Sequence, residues 1–451
     1  MSIHSLVCRL GAGDTANVPI RAGTQRTEIN FIAANKRLDY GLGDALDLLA
    51  IKGFQPSEHA ADLLLLAGLL TAADTRINRD AESEDRWTRE IDLYLPVAEP
   101  KVWSALASML TTTLNFLTGD IWQLHFRARP PALKQLVPAP KRLRIDEPTC
   151  VCLFSGGLDS FIGAIDLLAA GENPLLVSHY WDVATSYQSY CFDRLKARFN
   201  SREILSLRAR MGFPTNVVAE GSTEDTLRGR SFLFFAMATL AASGLRRKTV
   251  IYVPENGFIS LNVPLDPLRL GALSTRTTHP YYMARWNELL SALSIEAKLE
   301  NPYRFQTKGA MVSGCKDKAF LKKYAKATMS CSHPGSGRWS GHGPGHCGHC
   351  VPCLIRRGAM QAGLGGDDTP YRVTDLNSAP LNSEKAEGEH IRSFQVAITR
   401  LKKRPGLARL LIHQPGPLSD YPKDWKDYEA VYRDGLAEVE RIVKGVISKP
   451  L

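Results

Sequence analysis

Apolar and polar residues follow two different periods in the first third of the chain. Helical spacing occurs in three stretches, at 44–52, 57–73 and 102–117, and Ser57 stands where a helix-capping residue is expected. Residues 89–97 and 121–129 instead alternate between apolar and polar side chains, which is typical of half-buried strands. These patterns predict an N-terminal α+β domain over residues 1–146.

The pattern changes after a proline-rich, basic stretch at 130–148, which we interpret as a linker. Short apolar runs then alternate with helical stretches, at 150–155, 159–170, 173–182, 189–200, 229–243 and 248–256. This alternation predicts βα units and a parallel sheet, and hence an α/β domain over residues 147–375. Charged helical stretches at 387–402 and 424–444 predict a C-terminal helical extension over residues 376–451.

Composition narrows the class of protein without identifying it. The 451 residues are 44% hydrophobic and 23% charged, as in ordinary globular proteins, and the formal net charge of +10 favours anionic ligands, either nucleotides or nucleic acid. The apolar runs are too short to span a membrane, and the N-terminus lacks the pattern of a secretory signal. We therefore expect a cytoplasmic protein without a membrane span.

The strongest local signal is an apolar strand that runs into the sequence SGGLDS and then into a helix. Paired glycines let the backbone approach an anion, and the N–H groups at the start of the following helix point toward it. Asp159 is expected to cap this helix and to hold Mg²⁺ or a water on the phosphates. The alternative is a plain strand-to-helix turn. The predicted phosphate-binding residues are Ser155, Gly156, Gly157, Leu158, Asp159 and Ser160.

Four of the nine cysteines lie close together in the sequence, at Cys331, Cys347, Cys350 and Cys353. Thiolates at this spacing can surround one tetrahedral Zn²⁺, and four of them leave no open position, so a structural zinc site is predicted. A Cys₃His site, an iron–sulfur cluster and reduced cysteines without metal are the alternatives. The candidate histidine ligands are His333, His342, His346 and His349, and the remaining cysteines, which lack such spacing, are expected to be core residues.

The SGGLDS motif resembles the PP-loop of the ATP pyrophosphatase family, whose members cleave ATP to AMP and pyrophosphate and form adenylates. The resemblance implies that the loop binds the pyrophosphate part of ATP. Within that family, residues 149–372 resemble 7-cyano-7-deazaguanine synthase (QueC) in the order of KGAMV, TMSC and CGHCVPCLIRR. This implies a zinc site of four cysteines, a lysine near the nucleotide or acyl site at Lys308, and a helix start at Arg230. A solvated surface lysine is the alternative for Lys308.

The chain departs from the synthase between the third strand and the cysteines, where PENGFISLNVPL and LSTRTTHP replace the family's pocket segment. Because both stretches follow a strand, we expect them at the carboxyl edge of the sheet. The candidate pocket residues are Glu255, Asn256, Arg276 and His279. Of these, Asn256 could contact a purine-like edge, Arg276 could pair with phosphate or carboxylate, and His279 could transfer a proton. The alternative is that Asn256 and His279 merely begin turns.

The resemblance implies an ATP-dependent ligase that adenylates a carboxylated 7-deazaguanine and passes the acyl group to ammonia or to a protein amine. Asp159, Lys308 and Arg230 are the expected catalytic residues, and ATP, Mg²⁺ and Zn²⁺ the expected cofactors. The N-terminal domain and helical tail are similar to the QueC-like component of Qat anti-phage systems, which implies partner proteins encoded beside it. The alternatives are a tRNA-modifying PP-loop enzyme, with Arg194–Arg210 and Arg400–Arg404 on phosphates, and an ATP-sensing subunit without catalysis.

Overall fold

The computed structural model describes residues 3–143, 148–180, 184–218, 221–266, 276–341 and 343–451. Some sequence predictions concern residues outside these ranges. They are part of the linker at 144–147, the end of the second apolar run at 181–182, residues 273–275 of the altered segment and the candidate ligand His342.

The N-terminal region contains a sheet of four strands, β1 (Ile3–Arg9), β2 (Gln25–Asn30), β3 (Glu90–Val97) and β4 (Ile121–Ala128). Its order is β2-β1-β3-β4, and every neighbouring pair runs parallel. The two predicted strands are therefore confirmed, but the α+β expectation was wrong. Parallel strands need crossover connections, and a helix supplies the one between β3 and β4.

Helices of the N-terminal region are α1 (Leu42–Ile51), α2 (Glu58–Arg76), α3 (Arg79–Glu82) and α4 (Pro100–Thr118). The predicted cap of α2 is confirmed, since the Ser57 hydroxyl accepts a hydrogen bond from the Ala60 N–H at 3.2 Å. Nearly every residue of α2 is buried. Its two buried acids have cationic partners, Arg129 for Asp62 and Arg89 for Asp74, so neither carboxylate is buried without a compensating charge.

A second parallel sheet forms the centre of the molecule, with strands β5 (Cys150–Leu153), β6 (Pro174–His179), β7 (Ser206–Ala209), β8 (Thr249–Tyr252) and β9 (Ala297–Glu300). The order is β7-β6-β5-β8-β9. The chain moves outward from β5 to β7 and then returns to pair β8 with the other side of β5. Such a reversal opens a crevice at the carboxyl ends of the strands, where ligands bind in open α/β sheets.

The helices of this central region are α5 (Leu158–Ala169), α6 (Ala184–Arg198), α7 (Arg230–Ser243), α8 (Gly257–Leu261), α9 (Pro280–Ala292), α10 (Lys308–Gly314), α11 (Lys318–Tyr324) and α12 (Val351–Leu364). The predicted helices at 159–170, 189–200 and 229–243 are confirmed as α5, α6 and α7. The α/β character predicted for the central region is therefore present in the structure.

The two sheets share one hydrophobic core. A single cluster of buried side chains includes Leu93 from β3, Leu66 from α2, Phe235 from α7 and Val151 from β5. Helix α2 packs on α7, and α7 in turn lies against β5, β6 and β8. The N-terminal region is thus joined to the central sheet through packed helices, while the residue boundaries at 146 and 375 stay a prediction.

The C-terminal region contains β10 (Leu381–Asn382), α13 (Ala386–Lys403), α14 (Ala408–Leu411), α15 (Trp425–Val443) and β11 (Ser448–Lys449). Both long helices were predicted. A second core cluster joins Leu436 of α15 to Leu354 of α12 and Phe258 of α8. Within the described ranges, no helix combines the length and the apolar character that crossing a membrane requires.

Candidate functional site

The loop between β5 and α5 is closely packed and contains a glycine in the left-handed region of the backbone. Gly156 has a φ of 78°, in the left-handed region that favours glycine. A Cβ at this position would lie 2.8 Å from the backbone nitrogen of Gln188 in α6. The Ser155 N–H donates to the Ser160 hydroxyl at 3.2 Å, and that hydroxyl donates to the Gly157 carbonyl at 3.0 Å. Loop and helix start are therefore fixed together before any ligand binds.

Helix α5 begins directly after this loop. Gly157 is the residue before the helix, so the expectation that Asp159 caps it was wrong. Leu158 is buried and anchors the first turn in the core. The N–H groups of this turn have no helical carbonyl to pair with, and they carry the positive end of the helix dipole. The arrangement has the features of an anion site formed by backbone amides.

Asp159 lies beneath the loop in a buried charge pair. Its Oδ1 accepts a hydrogen bond from Lys308 Nζ at 2.5 Å, and its Oδ2 accepts from the Asn256 side-chain amide at 2.7 Å and backbone N–H at 3.1 Å. All three residues are buried, so the alternative of a solvated surface lysine at Lys308 was wrong. Both Asp159 oxygens accept hydrogen bonds from protein donors, and this geometry does not fit the expected Mg²⁺ ligand.

Both polar atoms of the Asn256 side-chain amide make hydrogen bonds within the protein. Besides contacting Asp159, its Oδ1 accepts a hydrogen bond from the Ile259 N–H at 3.1 Å and so caps α8. The side chain is fully buried, which does not fit the expected contact with a purine-like edge. The neighbouring Glu255 accepts a hydrogen bond from Thr278 at 3.3 Å. Removal from water and the Asp159 carboxylate raise the pKa of Glu255 to about 7.

Arg276 and His279 lie against the N-terminal region. Arg276 donates to the Phe116 carbonyl and stacks over the Phe116 ring at 4.6 Å. His279 Nδ1 accepts a hydrogen bond from the Tyr281 N–H at 3.2 Å and caps α9, so His279 begins a helix as the alternative had it. Burial and the charge of Arg276 lower the pKa of His279 to about 3. Thr277, between the two in the sequence, lines a cleft above the loop.

The start of α10, which carries Lys308, is held by the C-terminal helix α15. The Glu438 carboxylate accepts a hydrogen bond from the Thr307 hydroxyl and another, at 3.1 Å, from the Gly309 N–H. Thr307 in turn caps α10 by accepting from the Ala310 N–H at 3.0 Å. Glu438 therefore binds the residues on both sides of Lys308. In this way the C-terminal region helps to hold Lys308 in its buried pair with Asp159.

A cleft of about 490 Å³ opens above the loop, within the usual range for small-molecule sites. Its walls come from the ends of β5 and β6, the start of α7 and the segment that carries Cys331. The polar and charged lining residues include Ser155, Ser178, His179, Gln188, Asp225, Thr226, Arg228, Arg230 and Ser231. The structure thus brings Arg230 and the loop hydroxyl of Ser155 to one cavity.

Arg228 and the residues that place it were not among the predicted site residues. The buried Arg228 guanidinium stacks over the Trp87 ring at 4.2 Å, and burial lowers its pKa to about 10. Asp74 of α2 accepts a hydrogen bond from the Gly229 N–H at 2.7 Å, just before α7. The N-terminal region therefore helps to build one wall of the cleft. A search for basic residues at a predicted helix start would have included Arg228.

The four predicted metal ligands come together in the structure. The Sγ atoms of Cys331, Cys347, Cys350 and Cys353 all lie within 4.8 Å of one another, and all four residues are buried. Cys331 and Cys350 are 3.9 Å apart at sulfur, as are Cys347 and Cys353. Tetrahedral zinc with Zn–S bonds of about 2.3 Å places its sulfurs about 3.8 Å apart. The four cysteines therefore fit a zinc ion.

Local backbone geometry explains how four cysteines converge. Gly348 adopts a φ of 94° in the turn between Cys347 and Cys350. Cys350 immediately precedes α12, and Cys353 lies in its first turn. Arg356, one turn later, is fully buried and donates to Thr328, Ser330 and the Ala325 carbonyl, at 2.8, 3.1 and 2.6 Å. It thereby ties the segment before Cys331 to the helix that carries Cys353.

The described histidines stand outside the thiol group, which favours Cys₄ over the Cys₃His alternative. His346 accepts a hydrogen bond from the Ser330 N–H at 3.2 Å through Nε2, and burial lowers its pKa to about 3. His333 is exposed and contacts Ser332 at 3.1 Å. His349 stacks on His390. The five other cysteines are buried, as expected.

Comparison of the chain with protein-family models, with curated proteins and with solved structures found no match. What the structure itself supports is a mixed α/β protein with parallel sheets and four buried cysteines that could hold a metal ion.

Proposed function

We propose that this chain is an ATP-dependent enzyme that adenylates a carboxylated 7-deazaguanine and transfers the acyl group to a nitrogen nucleophile. The observation that carries the proposal is the junction of β5, the SGGLDS loop and α5 at the edge of a cleft large enough for a nucleotide. The choice of base comes from the resemblance of residues 149–372 to 7-cyano-7-deazaguanine synthase. The similarity of the N-terminal domain and the helical tail to the QueC-like component of Qat systems suggests a role beside partner proteins in anti-phage defence.

Several features of the cleft support nucleotide binding. Backbone amides at the start of α5 suit the pyrophosphate of ATP, and Gly156 lets the loop that precedes them pack closely against α6. Arg228 and Arg230 line the same cleft and can neutralise phosphate or carboxylate charge. The buried Asp159–Lys308 pair lies directly beneath the loop and holds its helix in place.

The proposed reaction has two steps. A carboxylate oxygen of the base attacks the α-phosphorus of ATP, the bond from that phosphorus to the bridging oxygen breaks, and pyrophosphate leaves. An amine then forms a C–N bond at the acyl carbon, AMP departs with the C–O electron pair, and the amine loses a proton. With ammonia the product is an amide, which a second ATP can activate for loss of water to the nitrile, and with a protein amine it is a conjugate.

The residues of this chain contribute by position and charge. Loop amides would hold the departing pyrophosphate, and the two arginines would stabilise charge on the reacting groups. The cleft would hold both reactants within reach, which converts their encounter into a first-order step. Mg²⁺ would supply charge neutralisation on the phosphates when bound, but the Asp159 carboxylate is engaged by Lys308 and Asn256, so we assign Mg²⁺ no protein ligand.

Zinc, bound by the four cysteines, would have a structural role in this proposal. Four thiolates complete its coordination and leave no site for substrate or water. Cys331 lines the cleft, so the metal would fix the wall that faces the nucleotide.

The test is mass spectrometry of the protein with Mg-ATP, 7-carboxy-7-deazaguanine and ammonium, following both nucleotide and base. We expect AMP together with an amide or nitrile, and a mass increase on a protein partner if an amine of that partner is the acceptor. Ser160→Ala should slow AMP formation, because its hydroxyl organises the loop, whereas Ser313→Ala on α10 should not. Intact ATP, or binding without turnover, would contradict the proposal and favour a nucleotide sensor. Salt-sensitive tRNA binding with tRNA-dependent AMP release would favour the tRNA enzyme.

A further inference from the structure

A second, larger hollow lies on the C-terminal helices. It has a volume of about 930 Å³ and opens between α13, the turn that follows it, and the end of α15. It shares no lining residue with the nucleotide cleft. We call it the basic groove, and its lining residues are Arg392, Gln395, Val396, Ile398, Thr399, Arg400, Lys403, Arg404, Leu407, Glu440, Val443, Lys444 and Gly445.

The groove is strongly cationic. Five of its lining residues are lysine or arginine and one is acidic. That acid, Glu440, is already paired with Lys402 outside the groove. Four of the five cations are exposed, namely Arg392, Lys403, Arg404 and Lys444. The rim therefore offers positive charge to an anionic partner. Because the cations lie close together they repel one another, and binding of an anionic partner would relieve this repulsion.

The floor of the groove is apolar. Val396 is 37% exposed, and Ile398, Leu407 and Val443 line the same hollow. Arg392, Val396, Thr399 and Lys403 follow one another on successive turns of one face of α13, a face about 16 Å long at the usual rise of 1.5 Å per residue. The groove therefore combines an apolar strip with a cationic border.

We propose that the basic groove binds an acidic segment of a partner protein, with apolar side chains on its floor and carboxylates at its rim. The phosphates of a nucleic acid would pair with the cations of the rim, but a nucleic acid would not cover the apolar floor. The described lining contains no aromatic ring on which a base could stack, and phosphate groups make no favourable contact with valine, leucine and isoleucine side chains. An acidic segment with spaced apolar residues matches both features. This proposal does not depend on the enzymatic activity proposed above.

The experiment uses the full chain and a fluorescein-labelled peptide of twelve residues, glutamates with leucine at every third position. Fluorescence anisotropy should show binding that weakens as salt is raised, because the rim charges are exposed. Replacing the leucines by serine should weaken binding as well, because the apolar contacts with the floor of the groove are then lost. The double variant R392E/K403E should bind the acidic peptide roughly tenfold more weakly or worse, since two attractive contacts become repulsive.

The matched control is R409E/K426E, which changes the net charge equally at two exposed residues outside the groove. It should bind the peptide as the unaltered chain does, and circular dichroism should show both variants folded. Equal binding by R392E/K403E, or equal loss in the control, would overturn the proposal. It would also fail if a single-stranded RNA bound the groove more tightly than the peptide. A dimer that R392E/K403E disrupts, docking the acidic stretch at 80–85 of a second copy, would likewise contradict it.

Discussion

The SGGLDS loop and the cysteine cluster border one cleft, yet they are built in different ways. All four thiols of the cluster come from a single segment, Cys331–Cys353. The loop instead depends on Asp159, whose partners Asn256 and Lys308 lie 97 and 149 residues further along the chain. The start of the helix that carries Lys308 is held in turn by Glu438 of the C-terminal region.

The difference shows which interactions each site needs. The cysteine cluster gathers four thiols in a small buried volume, which is favourable when a metal ion binds them as thiolates. The loop is held by a buried ion pair and close glycine packing, which form only when three parts of the chain have folded together. Metal removal should therefore damage the first site, and loss of one charge partner the second.

The largest effect is expected from Cys350→Ser, which removes one ligand from the cluster. Structural zinc contributes about 10–16 kcal/mol of apparent binding free energy in small zinc-dependent peptides, so loss of the site should make the protein aggregate. Metal analysis and thermal unfolding would measure this. The control is Cys315→Ser, a buried cysteine outside the cluster, which should retain zinc. A Cys350→Ser protein that is soluble and keeps its wild-type melting temperature would show that the cluster does not stabilise the fold.

A smaller but still large effect is expected from Lys308→Met. It leaves the buried Asp159 carboxylate without its cation, which costs about 3–5 kcal/mol when one partner of a buried ion pair is removed. Denaturant unfolding would measure the loss. The double variant K308M/D159N should recover most of the stability, because neither charge then remains unpaired, yet it should not recover AMP formation. A double variant as unstable as Lys308→Met would contradict the buried pair.

Gly156→Ala tests the close packing of the loop, and we expect it to lower the free energy of unfolding by an intermediate amount. The left-handed φ costs an ordinary residue about 1–2 kcal/mol, and the new Cβ would also press on the Gln188 backbone. Gly171→Ala is the matched control, since Gly171 also has a positive φ but nothing lies within 4 Å of its Cβ position. The difference in unfolding free energy between the two variants isolates the clash. Equal losses would mean that α6 does not confine the loop.

A pH dependence of stability is expected at Glu255. Its pKa is raised from 4.5 to about 7 in the folded protein, so the folded state holds more protons than the unfolded state between these values. Stability contributed by this group therefore falls as pH rises through this range. Glu255→Gln should melt higher relative to the unaltered chain at pH 8 than at pH 5, and Glu296→Gln on the surface should not. The same offset at both pH values would contradict the raised pKa.

Local patterns in the sequence predicted the local parts of this molecule. The Ser57 cap, the strand–loop–helix order around Gly156 and the converging cysteines all depend on residues close in the chain. Their geometry is set by backbone preferences and short reach, which sequence spacing records. For this reason α2, α5 and the thiol cluster were predicted, together with the parallel sheet of the central region.

Contacts between distant segments were not predicted. Asn256 and His279 were assigned to a substrate pocket, because nothing in their neighbourhood shows that one would bond Asp159 and the other would pack on Phe116. Strand β2, a polar edge strand, lacks the apolar content that identifies strands by pattern, so the parallel N-terminal sheet was missed. Glu438 likewise looked like one charge among many on an amphipathic helix.

The central claim is that the SGGLDS loop binds ATP for cleavage between the α- and β-phosphates. The most direct measurement follows ATP labelled at the α- and γ-phosphates, in the presence of 7-carboxy-7-deazaguanine and ammonium, with Gly156→Ala beside the unaltered chain. The account predicts AMP and pyrophosphate in equal amounts, and a strong loss of both in Gly156→Ala while Gly171→Ala retains them. ADP and orthophosphate, or AMP release unchanged in Gly156→Ala, would contradict it.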